Sequence, residues 1–210
     1  EDRLRERHAA TVRQAAALSK KREAAAQRFA ARVAAELSTL KMADTEFAVA
    51  LSATPADPDT DPHLIVGTHA VSESGIDRAV FTIAPNVGET LKPLVAIASG
   101  GELSRVVLAL KSILAASESV ATIVFDEVDA GIGGAVAEVV GRKLATLAQH
   151  HQVICITHLP QIAAFADRHF VVRKEQAGGR TRTCVARVEG EARIEELARI
   201  LAAQAAAFHD

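Results

Sequence analysis

The sequence predicts an α/β fold: a parallel sheet flanked by helices, preceded by a small antiparallel β region and, ahead of that, one long helix. Three observations carry this. Glu1 to about Ala43 holds no Gly and no Pro and is dominated by Ala, Arg, Glu and Leu, a helix-forming composition. After Asp44 the period changes to the alternation of strands, broken by a Pro/Asp-rich loop. Further on, wholly apolar stretches alternate with helical patterns, and strands apolar on both faces indicate a parallel sheet covered by helices.

In the first helix Phe29, Val33, Leu37 and Leu40 form the stripe of a helix docking on something, while the earlier half is mostly alanine. Basic residues such as Arg3, Arg5, Lys20, Lys21 and Arg28 outnumber acidic ones there. That surface could face phosphates, or be the solvated face of a helix beside a coiled-coil partner. "EFAVAL" reads as a strand, "SATPADPDTDP" as a loop, and "RAVFTIAP" as a second strand after the turn "SESGID". A helix follows the two glycines, from Glu102 to about Ser117, with Leu103, Val106, Val107, Leu110, Ile113 and Leu114 as its packing positions. Next come the strand "VATIVF", a helix from about Ala135 to His150, the strand "QVICIT" and a short helix around Pro160 to Ala166. "HFVVRKE" and "TRTCVARV", joined through "QAGGR", read as a β-hairpin, and "IEELARILAAQAAAF" as a closing helix.

At 210 residues and 49% hydrophobic, the chain can bury a substantial core in one or two domains. With 24 basic and 26 acidic residues its net charge is -2, which gives no general attraction for nucleic acid or an anionic membrane. Aromatics are 3% of residues, with no Trp or Tyr, against a surface that stacks single-stranded bases. Cys155 and Cys184 form no CxxC pair, so they are expected to be buried, inert thiols in a reducing compartment. No apolar run approaches the ~18 residues of a membrane span, and the expected location is cytoplasmic. A chain beginning at Glu1 rather than Met is expected to be a piece of something longer.

Three stretches carry chemistry. In "TIVFDEVDAGIGG" an apolar strand ends in Asp126 and Glu127, at the sheet edge where open α/β folds bind ligands. Carboxylates are costly inside a buried strand, so its exit keeps them hydrated or metal-bound. One acid can hold Mg²⁺ through water and the next can deprotonate a water, although a helix cap or surface ion pair also produces such a pair. In "IASGGELSRVVLALKSIL" Gly100 and Gly101 let the backbone approach a ligand, Ser99 adds a hydroxyl, and the free N–H groups of the helix favour an anion. Ser99 as a plain helix cap explains the same residues. "QVICITHLPQIA" delivers Thr157 and His158 to the same end as the acid pair.

Together these motifs resemble the C-terminal half of an ATP-binding-cassette ATPase head, a P-loop NTPase fold: "SGGE" its signature, "TIVFDE" its Walker B strand, "VDAGIGG" its D-loop, and His158 its switch histidine. Glu102 and Val128 depart from the transporter pattern toward the DNA-repair and chromosome-organising branch. Within it, "NVGETLKPL", "ASGGELSRVVLALK", "FDEVDAGIGG" and "ITHLPQIAAFADRHFVV" look very like the RecN family of bacterial double-strand-break repair ATPases, related to SMC proteins. The likeness covers about residues 45 to 200, and residues 1–43 resemble the returning arm of that family's coiled coil, leaving 44–210 as the head segment.

The resemblance implies ATP and Mg²⁺ as cofactors and ATP-dependent homodimerisation coupled to DNA. Asp126 would hold Mg²⁺, Glu127 would be the general base, and His158 would contact the γ-phosphate. Ser99, Gly100, Gly101 and Glu102 would cap the γ-phosphate of ATP bound to a second copy, and Asp129 would reach across that interface. No GxxxxGK[ST] occurs in the sequence. In the resembling family that loop lies before the coiled coil, so the N-terminal half of the head would be a required partner, no membrane is implied, and the chain alone would be inactive.

Overall fold

Thirty-seven residues without Gly or Pro form a single helix, α1 (Asp2–Ser38). The structure, a computed structural model, describes residues 1–96, 99–115, 120–177 and 180–206. It divides into two units, Glu1–Ser38 with Met42–Ile97, and Thr39–Lys41 with Ala98–Asp210.

In the first unit β1 (Glu46–Ala53) is followed by the Pro/Asp-rich loop, where Asp61 accepts from His63 N at 2.8 Å and starts a 3₁₀ turn at Pro62. A two-residue ladder, β2 (Ile65–Val66) and β3 (His69–Ala70), comes next, too short to leave a period in the sequence. Strand β4 (Asp77–Ala84) pairs antiparallel with β1, from Glu46 opposite Ala84 to Ala53 opposite Asp77, and β5 (Lys92–Pro93) borders β4. The predicted stripe of α1 does dock: Val33 and Leu37 are fully buried, and Phe29 meets Phe47 and Phe81 with ring centroids 6.3 and 5.8 Å away. Nearer its start, Ser19 donates to Asp77 Oδ2 at 2.7 Å and Arg22 pairs with the same oxygen at 3.2 Å, which commits one of the basic residues to the fold.

The second unit runs α2 (Gly100–Leu114), β6 (Thr122–Phe125), α3 (Gly134–Leu147), β7 (Gln152–Cys155), α4 (Pro160–Ala163), β8 (His169–Ala177), β9 (Arg180–Val188) and α5 (Gly190–Ala206). Ser117, Gly178, Gly179 and Phe208 lie outside the described residues. Strands β6 and β7 are parallel, Thr122 opposite Gln152 and Phe125 opposite Cys155, with α3 as the crossover. Ile123 and Phe125 point into a core shared by Val106, Leu108, Val140, Leu144 and Leu147. The other face differs from the expectation of helices on both sides: Val124, Ile154 and Ile156 are 61, 48 and 57% exposed. The strands are apolar on both faces, as a doubly covered sheet requires, yet the described residues bury one face only.

The hairpin β8–β9 holds register from His169 opposite Val188 to Ala177 opposite Arg180. Beside it on α5, Glu196 is 6% exposed and accepts from Arg199 Nη2 at 2.6 Å and Nε at 2.9 Å, with Arg173 3.8 Å away. The hydrogen bonds from Arg199 hold its carboxyl below the ordinary range against the opposing effect of burial. A depressed folded pKa stabilises above the unfolded value and is lost as pH falls through the folded one. Glu196→Gln is therefore expected to lower unfolding free energy by about 1 kcal/mol at neutral pH, less than a fully buried pair because both arginines reach solvent. Urea melts at neutral and strongly acid pH should show that difference closing in acid.

Candidate nucleotide site

The parallel pairing brings the two strand exits together. Ile156 N donates to Phe125 O at 2.9 Å, carrying the ladder one residue past β7, so Thr157 and His158 leave the sheet beside Asp126 and Glu127. Asp126 and Glu127 are exposed, whereas Val128 and Asp129 are buried. Glu127 has φ 56°, an uncommon left-handed conformation for a non-glycine residue, and its carbonyl accepts from Ala130 N at 3.0 Å to close a tight turn.

That turn sends Asp129 inward. Asp129 Oδ2 accepts from Thr157 Oγ1 at 2.5 Å and from His158 N at 2.9 Å, with His158 Nδ1 3.1 Å away. The resemblance implies a carboxylate reaching across an interface; here it is 4% exposed and turned onto its own chain, while the His158 side chain is 74% exposed.

Helix α2 begins at the same edge. Ser99 Oγ accepts from Glu102 N at 3.4 Å, so the serine does cap the helix. Ser99 and Gly100 are exposed, Glu102 is half-buried, and Gly101 is buried. Gly100 lies directly against the Glu127 carboxylate. A Cβ on Gly101 would stand 2.6 Å from Ala130 Cβ and 3.1 Å from Glu127 O, so this glycine is needed for close approach of the chain's own turn. All eight residues singled out in the sequence thus belong to one neighbourhood.

Two further residues bind it together and were not singled out. Ser104 Oγ donates to Asp126 O at 2.5 Å, and Arg105 Nη1 donates to Ala130 O at 2.7 Å. The fully buried line of α2 runs through Gly101, Arg105, Val106, Leu108 and Ala109. Of the expected packing positions only Val106 is fully buried; Leu103, Val107, Leu110, Ile113 and Leu114 are half-buried. An arginine at the helical repeat of that line was the available signal. Burial lowers the Arg105 pKa, opposed by the charge of Glu102.

Both cysteines are free and half-buried rather than buried. Burial, then the charges of Asp129 and Asp126, push the Cys155 thiol up to about 12, which leaves it protonated and unreactive at neutral pH as expected of an inert thiol.

No family model matches the sequence. The chain is 47% identical over 189 residues to DNA repair protein RecN of Treponema pallidum, covering 89% of this chain and 31% of that protein. It is 46% identical over 192 residues to RecN of Streptomyces coelicolor, covering 90% and 33%, and 40% identical over 190 residues to RecN of Bacillus subtilis, with the same coverage. The chain spans about a third of the length of these relatives. Among solved structures, the Smc head domain with a coiled coil and joint from Pyrococcus yayanosii matches with a TM-score of 0.50 at 19% identity, over 81% of this chain and 28% of that one. At that identity the likeness speaks for the fold alone. By sequence the chain is thus similar to a segment about a third the length of the RecN repair proteins, and by fold to an SMC head domain.

Proposed function

We propose that the chain is the C-terminal part of the ATP-hydrolysing head of a RecN-like DNA double-strand-break repair protein, in which ATP-dependent pairing of two heads is coupled to DNA binding. The supporting observation is the convergence of Asp126, Glu127, His158 and the open front of α2 at one sheet edge. The donor set fits Mg²⁺ and a nucleotide. Asp126 offers a solvent-facing carboxylate, and among the described residues no group of three or more metal-ligating side chains closes around it. One carboxylate completed by water and phosphate oxygens is how Mg²⁺ is commonly held.

In this reading Glu127 takes a proton from the attacking water, and His158 contacts the terminal phosphate. Ser99 to Glu102 present N–H groups and a hydroxyl to the γ-phosphate of the nucleotide on a second copy, which makes the assembly a two-fold dimer with two equivalent sites. Bound ATP and Mg²⁺ supply the scissile phosphoanhydride and neutralise charge developing on it.

The missing phosphate loop belongs to the N-terminal half of the head, the partner that also covers the exposed face of Val124, Ile154 and Ile156. Residues 1–43 are then the returning arm of a coiled coil, joined to the head segment 44–210. No described helix is long and apolar enough to cross a membrane, and a cytoplasmic, DNA-associated location goes with this function. The purified 210-residue chain should hydrolyse no ATP, whereas the complete protein should. Robust turnover by the chain alone, abolished by Glu127→Gln, would overturn the assignment of a half-site.

A further inference from the structure

We propose that Asp129 is a positioning residue for His158 of its own chain, committing Nδ1–H of the imidazole so that Nε2 is the nitrogen turned to the reacting phosphate. The inference rests on the nucleotide-site reading above and assigns Asp129 a different task from the cross-interface contact that the resemblance implies.

The geometry is that of a carboxylate bound as an orienter. An ionised carboxylate only accepts hydrogen bonds, so each close contact to Asp129 Oδ2 identifies a donor. The first is the Thr157 hydroxyl at 2.5 Å. The same hydroxyl accepts from Leu159 N at 3.0 Å, which leaves its own hydrogen for the carboxylate. The second is the backbone N–H of His158 at 2.9 Å. The third contact is at ion-pair distance, His158 Nδ1 lying 3.1 Å from the same oxygen, where a carboxylate favours hydrogen on the facing nitrogen.

Backbone and ring of one residue thereby face a single atom, and a ring flip or a change of tautomer gives up the Nδ1 contact. Nε2 is left as the outward nitrogen. It accepts from water or a hydroxyl when the ring is neutral, and donates to a phosphate oxygen when both nitrogens are protonated. A carboxylate 4% exposed and bound in this way is not free to reach a second molecule. Carboxylates that hold an imidazole tautomer recur in hydrolases and metal sites, where their loss lowers activity by about 10-fold at least and up to about 10⁴-fold.

The test is a double-mutant cycle on turnover by the complete protein, comparing Asp129→Asn, His158→Ala and the double variant. Asp129→Asn should lower kcat by about tenfold or more with KM for ATP changed less than about twofold, and in the His158→Ala background it should have almost no further effect. A multiplicative loss in the double variant would mean that Asp129 acts elsewhere, and would overturn the proposal. Should His158→Ala leave turnover intact, the nucleotide-site reading fails instead. The pairing is then decided by imidazole ¹⁵N spectra of the ¹⁵N-histidine-labelled protein, which also serve if Asp129→Asn does not fold. Protonated Nδ1 on the neutral His158 ring of the parent supports it, and the Nε2–H tautomer overturns it.

Discussion

Replacing Glu127 by Gln in the complete protein should lower ATP turnover by roughly 10²–10⁴-fold, the usual range for a general base, while ATP-driven pairing of heads becomes stronger than in the parent. The amide matches the carboxylate in size, so packing against Gly100 and the turn at φ 56° persist. What disappears is the acceptor for a proton from water. ATP would then be bound and sensed but not consumed, and the paired state would accumulate. Steady-state turnover and sedimentation with and without ATP measure the two halves of this expectation. If Glu127→Gln keeps more than a tenth of parental turnover, or pairs no better with ATP, Glu127 is not the base.

The second large effect separates two adjacent glycines. Gly101→Ala places a methyl 2.6 Å from Ala130 Cβ and 3.1 Å from the Glu127 carbonyl, neither of which can rotate away. The turn must lift from α2, straining the Ser104 and Arg105 bonds to it, and we expect unfolding free energy to fall by about 1–3 kcal/mol with site assembly lost. Gly100→Ala meets only the mobile end of the Glu127 side chain, so stability should change by less than about 0.5 kcal/mol. Moving that carboxylate should still reduce turnover by about tenfold, because sub-ångström placement governs such steps. Urea denaturation and turnover on both variants test the split; equal loss of stability at 100 and 101 would contradict the packing described.

The site was largely legible in the sequence because its parts obey local rules. Apolar runs that stop abruptly at Asp126 and Thr157 announce strand exits, and parallel pairing then places Asp126, Glu127 and His158 along one edge without further information. Ser99 followed by two glycines and a helical repeat likewise marks a helix start, although the helix takes in both glycines and begins at Gly100 rather than at Glu102. The direction of Asp129 was not legible, since it depends on the turn closed by Glu127 and on a hydroxyl 28 positions away in the chain. Nor was Arg105 as a strut, because a helical period ranks positions by hydropathy and cannot foresee a carbonyl such as Ala130 O that accommodates a buried guanidinium. Short ladders such as β2 with β3 have no period to read. The uncovered side of β6 and β7 was missed for the opposite reason: the residues are composed for burial, and composition does not say which molecule or segment performs it.

The backbone of Glu127 sets a conflict between durability and chemistry. A left-handed conformation at a side chain other than Gly or Asn costs about 1 kcal/mol. Glycine at 127 would relieve it and, on the role proposed for Glu127, have no proton acceptor to offer, so selection for a tougher protein and selection for a working one would pull this position toward different amino acids.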